Sequence, residues 1–217
     1  METRNKSIFW EALILAIFVF ASGVFLGYLM EKNRVSQVVS LYQQSELDLL
    51  DIKIQNELFS LKSLQCNSAQ AELLAFADRI YEEAKLLERY EGSNKITQEI
   101  KLQHKKYDLL RAMLFINTLQ IKERCNNTLD TILYVYNYDT EDIGLYSQQT
   151  TFSKKLEQVK SSKGGSLILI PLAGNINSTS ISYILKQYNI TILPTILVNE
   201  DLKIASIGDL EKLDNLI

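Results

Sequence analysis

An uninterrupted apolar segment near the N-terminus constrains this chain more than any other feature. Residues 8–30 are almost entirely apolar, and no charged residue follows Glu11 within them. A helix needs about 20 apolar residues to cross a bilayer. The segment also continues well beyond the small-residue cluster at 21–23, further than the apolar core of a cleavable signal peptide. We therefore expect residues 1–34 to form a tail and an uncleaved transmembrane anchor. A cleaved signal peptide and a buried soluble helix are the alternatives.

The flanking charges leave the orientation of the anchor nearly balanced. Two positive residues, Arg4 and Lys6, precede the span, and two, Lys32 and Arg34, follow it. The short tail with its free amino group favours a cytoplasmic N-terminus. We therefore expect a single-pass protein of the cell membrane with its C-terminal domains outside the cytoplasm. Three Asn-x-Ser/Thr sequons are possible glycosylation sites on that side: Asn126, Asn177 and Asn189.

Composition makes several functional classes improbable. The formal net charge is -3, whereas a nucleic-acid-binding surface needs clustered positive charge, so we expect no nucleic-acid partner. One His and two Cys are too few for the usual metal sites, so we expect no metal and no cofactor. His104, the only histidine, lies in a polar stretch with Lys101, Lys105 and Lys106. We expect these four residues to form a solvated helix face.

Residues 35–125 have the pattern of packed helices. They contain no proline, and mainly apolar residues recur at helical spacing, as in Tyr107, Leu110, Leu114, Asn117 and Ile121. A break at 92–94 predicts an antiparallel hairpin of helices at 67–91 and 95–124, preceded by a membrane-proximal helix. The heptad-like segment 35–65 could pair with a second copy as a coiled coil, or fold onto the hairpin.

The two cysteines lie just outside the open ends of this hairpin. An antiparallel arrangement brings Cys125 back to the neighbourhood of Cys66, because each lies at a similar distance from the turn. We therefore expect a disulfide between them, which suits an oxidising compartment. The alternative is two unpaired cysteines buried as small hydrophobic residues.

After residue 125 the composition changes to that of an α/β domain. Apolar and β-branched runs predict strands, and amphipathic stretches predict helices at 148–162 and 180–188, with a last helix capped by Asp209. The predicted strands are 131–136, 167–170, 195–198 and 203–207. The predicted order is βαβαββα, which makes the chain α+β overall, with divisions at 1–34, 35–125 and 126–217.

This order, together with the segment from Tyr188 to Asn199, resembles the thioredoxin family. In that family a Tyr-x-Ile segment leads into a Pro-Thr pair that opens the third strand, and the proline is cis. The resemblance covers residues 130–217 and implies that Pro194 is the cis-proline. It further implies that Leu193, Pro194 and Thr195 form the edge that pairs with an extended peptide.

The sequence departs from the family where catalysis would occur. Thioredoxin-like enzymes place Cys-x-x-Cys at the start of the first helix, where the helix dipole stabilises a thiolate. Thr140 and Ile143 have the spacing of those two cysteines, and neither carries a thiol.

The sequence therefore predicts a membrane-anchored, non-catalytic thioredoxin-like protein that binds a protein or peptide partner as an extracytoplasmic scaffold. The combination of anchor, helices and thioredoxin-like domain is also similar to membrane-anchored thioredoxin-like proteins of archaea. Two alternatives stay open. One is a degenerate or accessory thiol-disulfide oxidoreductase or isomerase, and the other is a coiled-coil spacer with a purely structural role.

Overall fold

The computed structural model of the chain describes residues 9–30, 65–91, 98–125 and 129–216, with a few isolated positions between 47 and 57. It divides into two units, Met1–Glu46 and Leu47–Ile217. The predicted turn at 92–94 lies outside the described residues, as does most of the segment 35–65.

Helix α1 forms the described part of the first unit. It extends over Phe9–Met30 and is long and apolar enough to cross a membrane. Its large apolar side chains are exposed, as Phe20 and Met30 illustrate. The sequence-based prediction of an apolar helix here is therefore confirmed.

Two long helices begin the described part of the second unit. Helix α2 is Cys66–Glu91 and helix α3 is Gln98–Cys125. The apolar stripe predicted for α3 is buried throughout, with no member more than 5% exposed. The predicted pair of helices is confirmed over these ranges, and residues 95–97, where the second helix was expected to begin, lie outside the described residues.

A four-stranded mixed sheet follows. Its strands are β1 (Asp130–Tyr136), β2 (Leu167–Ala173), β3 (Thr195–Val198) and β4 (Leu202–Ile204), arranged in the order β2-β1-β3-β4. Strands β1 and β2 are parallel, whereas β3 is antiparallel to both β1 and β4. The interior of β1 is buried and, apart from Thr131, apolar or aromatic, as expected for a central strand covered on both faces.

Helices α4 (Ile143–Lys163) and α5 (Thr179–Gln187) connect the strands, and a 3₁₀ segment, Ile207–Asn215, ends the described chain. Helix α4 begins five residues earlier than the predicted 148. The final segment is a 3₁₀ helix, and its N-cap is Ser206, whose hydroxyl accepts from the Gly208 N–H. The prediction that Asp209 is the cap was therefore wrong.

The helical pair and the sheet share one core. Side chains from α2, α3 and α5 pack with residues of β1 and β2 that point to the same face, such as Leu133 and Val135. A second core on the opposite face joins Ile132 and Tyr134 to α4 and the 3₁₀ segment. The boundary expected between residues 125 and 126 therefore lies inside a shared hydrophobic core.

The two outer strands of the sheet differ from the inner ones. Strand β2 contains Pro171, which has no N–H to donate. Strand β4 has only three residues and includes the exposed Lys203.

Candidate functional site

The two positions expected to replace the thioredoxin cysteines, Thr140 and Ile143, lie just before α4 and at its first residue. Asp142 caps α4, because its carboxylate accepts from the Leu145 N–H at 3.1 Å. Ile143 then begins the helix with 84% of its surface exposed, and Thr140 is half-buried in the preceding turn. These two side chains therefore offer a hydroxyl and an alkyl group near the start of α4.

Both cysteines of the chain are bonded to each other. The Cys66–Cys125 disulfide joins the start of α2 to the end of α3, with a Cα–Cα distance of 5.6 Å. The predicted disulfide is thus present, and the chain retains no free thiol. Any thiol chemistry by this chain would require reduction of this bond first.

The segment Leu193–Thr195 leads into β3. The Leu193–Pro194 peptide bond is cis, and Pro194 and Thr195 are buried. The Thr195 hydroxyl donates to the Ile192 carbonyl at 2.6 Å, and the Ile192 side chain is 64% exposed. This segment therefore combines a fixed backbone with an apolar side chain that faces solvent.

Gly174 allows the chain to pass closely beside this segment. A Cβ at position 174 would lie 2.7 Å from Val135 Cγ1 and 2.9 Å from Leu193 Cδ1. Both distances are shorter than any comfortable carbon–carbon contact. A residue without a side chain is therefore needed for the loop after β2 to approach both side chains.

A buried polar network lies where β1 and β2 end. His104, Asp108 and Arg111 occupy one face of α3, since their spacing places them on successive turns. They are 6%, 0% and 5% exposed. Because the carboxyl ends of parallel strands meet at one edge, the network lies at the place where α/β sheets commonly bind ligands.

His104 was expected to be solvated, and this prediction was wrong. Its Nε2 lies 2.9 Å from the Tyr136 hydroxyl and 3.3 Å from Asp108 Oδ2. Its ring stacks on Tyr138 at 3.7 Å between centroids. Helix α3 contacts α2 as well as the sheet, so it has no broad solvent face.

The prediction of a solvated helix face is only partly correct for the neighbouring lysines. Lys101 is exposed as expected and forms an ion pair with Asp139 at 2.9 Å. Lys105 and Lys106 are half-buried.

Asp108 holds this network together electrostatically. Its Oδ1 accepts from Arg111 Nη1 and from the Ala173 N–H, each at 3.2 Å. Burial raises the pKa of Asp108, although Arg111, His104 and the Ala173 N–H all favour the ionised form. Asp108 thus connects α3 to the end of β2 through a charged group that is expensive to bury.

The two described contacts of His104 differ from those of a catalytic proton relay. A Ser–His–Asp type relay uses the two ring nitrogens in series, one toward each partner. Here Tyr136 and Asp108 both approach the same nitrogen, Nε2. The contacts therefore orient the imidazole and the Tyr136 ring rather than linking an acid to a nucleophile.

A cavity of about 480 Å³ lies beside this network, bounded by α2, α3, α4 and the first two strands. Its most frequent wall residue is tyrosine: Tyr81, Tyr134, Tyr136, Tyr138 and Tyr146. Burial raises the pKa of Tyr134 to about 12, and its hydroxyl donates to the Gln149 carbonyl at 3.1 Å. Asn175 fixes the loop that carries Tyr138, by accepting from its N–H at 2.7 Å and donating to its carbonyl at 2.8 Å.

The cavity wall also carries charged side chains. Four are positive, namely Lys85, Arg111, Lys154 and Lys160, and one, Glu157, is negative. Lys160 donates to the carbonyls of Gly164 and Leu167 at 2.9 and 2.7 Å, and burial lowers its pKa. The wall is therefore aromatic and mainly cationic in a chain whose net charge is negative.

Sequence reasoning did not find this cavity. Its residues come from five separate segments, and each segment alone has an ordinary pattern. The only local signal was the alternation Tyr134, Tyr136, Tyr138, which places three tyrosines on one side of an extended chain.

Of the three sequons, Asn177 and Asn189 are exposed, and Asn126 lies outside the described residues. Within the described part of the chain, no group of three or more His, Cys, Asp or Glu side chains could hold a metal ion. Comparison with protein-family models, curated proteins and solved structures gives no match to this chain.

Proposed function

We propose that this chain is a membrane-anchored, thioredoxin-like protein that acts by binding, as an extracytoplasmic scaffold, without thiol-disulfide catalysis. The observation that carries the proposal is the location of the two cysteine sulfur atoms. Both belong to the Cys66–Cys125 disulfide, and the start of α4 presents Thr140 and Ile143. Exchange needs an attacking thiolate, whereas recognition needs only a shaped surface.

The order of elements supports the thioredoxin-like part of the proposal. Strand β1 leads through α4 to the parallel β2, and α5 then leads to the antiparallel pair β3 and β4. This matches the order expected from the sequence, except that a 3₁₀ segment replaces the final helix.

The contact surface in this proposal is the segment Leu193–Thr195. Peptide pairing at such an edge uses backbone groups for affinity and neighbouring side chains for specificity. The exposed Ile192 supplies an apolar side chain directly beside it.

The anchor in this proposal is α1, inserted with its N-terminus in the cytoplasm. The disulfide supports an extracytoplasmic location for the rest of the chain, because disulfides persist in oxidising compartments. Protease added to intact cells or spheroplasts should then digest the second unit. Full protection of that unit would reverse the orientation.

Absence of thiol-disulfide activity is tested with insulin. The full chain in detergent should not accelerate the precipitation of reduced insulin beyond the rate with dithiothreitol alone. Acceleration that disappears in the C66S/C125S variant would replace the binding proposal with a redox role for the helical pair.

Binding at the edge is tested by photo-crosslinking in cells. A benzophenone side chain at position 192 should give a discrete adduct, and one at position 183 should not. Ile192 and Tyr183 are a matched pair, because they are 64% and 67% exposed. Adducts at neither position would favour the spacer alternative, and equal adducts at both would contradict a specific edge.

A further inference from the structure

The tyrosine-lined cavity has features of a ligand site that the proposed peptide edge does not use. Small-molecule sites occupy about 300–1,000 Å³, and this cavity of about 480 Å³ is within that range. None of its wall residues belongs to the segment 192–195. The proposed peptide edge therefore does not explain this cavity.

Two of its rings are held in place before any ligand arrives. The Tyr136 hydroxyl contacts His104, and the His104 ring stacks on Tyr138. His104 is fixed in turn by its burial against Asp108. Rings that are already ordered lose little conformational entropy on binding, and their faces suit a flat ligand.

The charged side chains of the cavity wall indicate which kinds of flat ligand it can bind. Tyrosine cages are known to bind cations, but four positive side chains on this wall oppose a cation. A purely apolar ligand would cover the ammonium group of Lys154 without offering it a partner, which is costly. A ligand with both a ring and a negative charge satisfies both parts of the wall.

Lys154 is the positive group best placed to meet that charge. Arg111 is already paired with Asp108, Lys85 lies 3.5 Å from Glu82, and Lys160 donates to two carbonyls. Lys154 is exposed on α4 and forms no ion pair with any residue that the structure describes. Its ammonium group therefore retains donors for a ligand.

We propose that this cavity binds a small anionic ligand that carries a ring, such as an aromatic carboxylate. The ring lies against the tyrosines near the ends of β1 and β2, and the carboxylate meets Lys154. This site goes beyond the proposed peptide edge and does not depend on it.

The class of ligand is tested with three probes on the full chain in lipid nanodiscs. Saturation-transfer NMR compares benzoate, the isosteric neutral benzamide, and acetate, which has charge without a ring. Benzoate should bind saturably, benzamide should bind two- to fivefold more weakly, about the range of an exposed ion pair, and acetate should give no signal. Equal affinity for benzoate and benzamide would overturn the anionic assignment.

Two pairs of variants locate the site. Lys154→Gln should weaken benzoate about two- to fivefold and leave benzamide unchanged, whereas Lys186→Gln, at an exposed position of α5, should change neither. Tyr146→Ala should weaken both ring probes, whereas Tyr183→Ala should weaken neither. Tyr146 and Tyr183 are 64% and 67% exposed, so both variants should fold. Benzoate binding that survives Lys154→Gln and Tyr146→Ala unchanged would exclude this cavity. That result would leave the crosslinking test at Ile192 unaffected.

Discussion

The two faces of the sheet are covered by different kinds of layer. One face packs against α4 and the 3₁₀ segment, and its core consists of apolar side chains and Tyr134. The other face packs against α2, α3 and α5, and its core encloses Asp108, Arg111, Asn117 and Thr118 along α3. The apolar face is covered by a single layer, whereas on the other face α2 and α3 contact both the sheet and each other.

This difference shows how a binding site can form at the border between the two layers that cover the sheet. The apolar face stabilises the sheet without any buried charge, so the charged network on the opposite face can serve another purpose. Buried ion pairs often add little net stability compared with apolar residues of similar volume. The network lies beside the tyrosine cavity, where it orients rings rather than filling the core.

The largest expected effect tests whether both layers belong to one folding unit. Phe115→Ala removes a ring on the helical side and Phe152→Ala removes one on the α4 side; both are at most 1% exposed. Each should lower the free energy of unfolding by about 3–5 kcal/mol, because a buried cavity results. Denaturant unfolding measures both, with hydrogen exchange of β1 as the local probe. Unchanged β1 protection in Phe115→Ala would show that the helical pair folds separately.

The disulfide sharpens the same comparison, because it constrains only the helical side. Replacing Cys66 and Cys125 by Ser should cost up to about 4 kcal/mol, from the entropy of closing a loop with a sequence separation of 59. Thermal unfolding of the wild type with and without reductant gives an independent measure. A loss below about 1 kcal/mol would mean that packing on the sheet already holds the helices together.

Two glycines allow a smaller test. Gly174→Ala should destabilise by about 1–3 kcal/mol, because its Cβ would overlap Val135 and Leu193 on the helical face. Gly208, in the 3₁₀ segment over the other face, has only an ordinary contact at 3.7 Å with Ser206. Gly208→Ala should therefore be close to neutral, and urea midpoints compare the two. Equal losses would show that steric overlap is not the cause.

The smallest effect concerns one helix cap on each face. Asp142→Ala removes the cap of α4 and Ser178→Ala that of α5, and each should cost about 1 kcal/mol. Asp142 should cost more, since its bond to the Leu145 N–H is 3.1 Å, against 3.5 Å from Ser178 to Ile181. Chemical denaturation should resolve the difference, and the reverse order would show that cap distance does not set the cost.

The sequence predicted those strands and helices whose pattern of apolar residues is typical of only one type of secondary structure. The strands around Ile132, Ile168 and Ile196 are β-branched runs, and the helical pair has a regular stripe. The start of α4 was missed because residues 143–147 include a glycine and lie mostly exposed, so they do not continue the buried apolar stripe of the helix. The burial of His104 was not predicted because α3 is covered on two sides. In a two-layer arrangement the same helix would have its polar residues facing water. The tyrosine cavity depends on contacts between distant segments, which no local pattern records.

The two outer strands of the sheet have a consequence for crowding. Exposed sheet edges invite pairing with other chains, and proteins oppose this with proline, lysine and short strands. Pro171 interrupts one edge, and the other is the three-residue β4 with Lys203. Many copies confined to the plane of a membrane would meet far more often than the same number free in solution. With both edges blocked, such encounters should not extend the sheet from one molecule to the next, so dense packing can occur without aggregation.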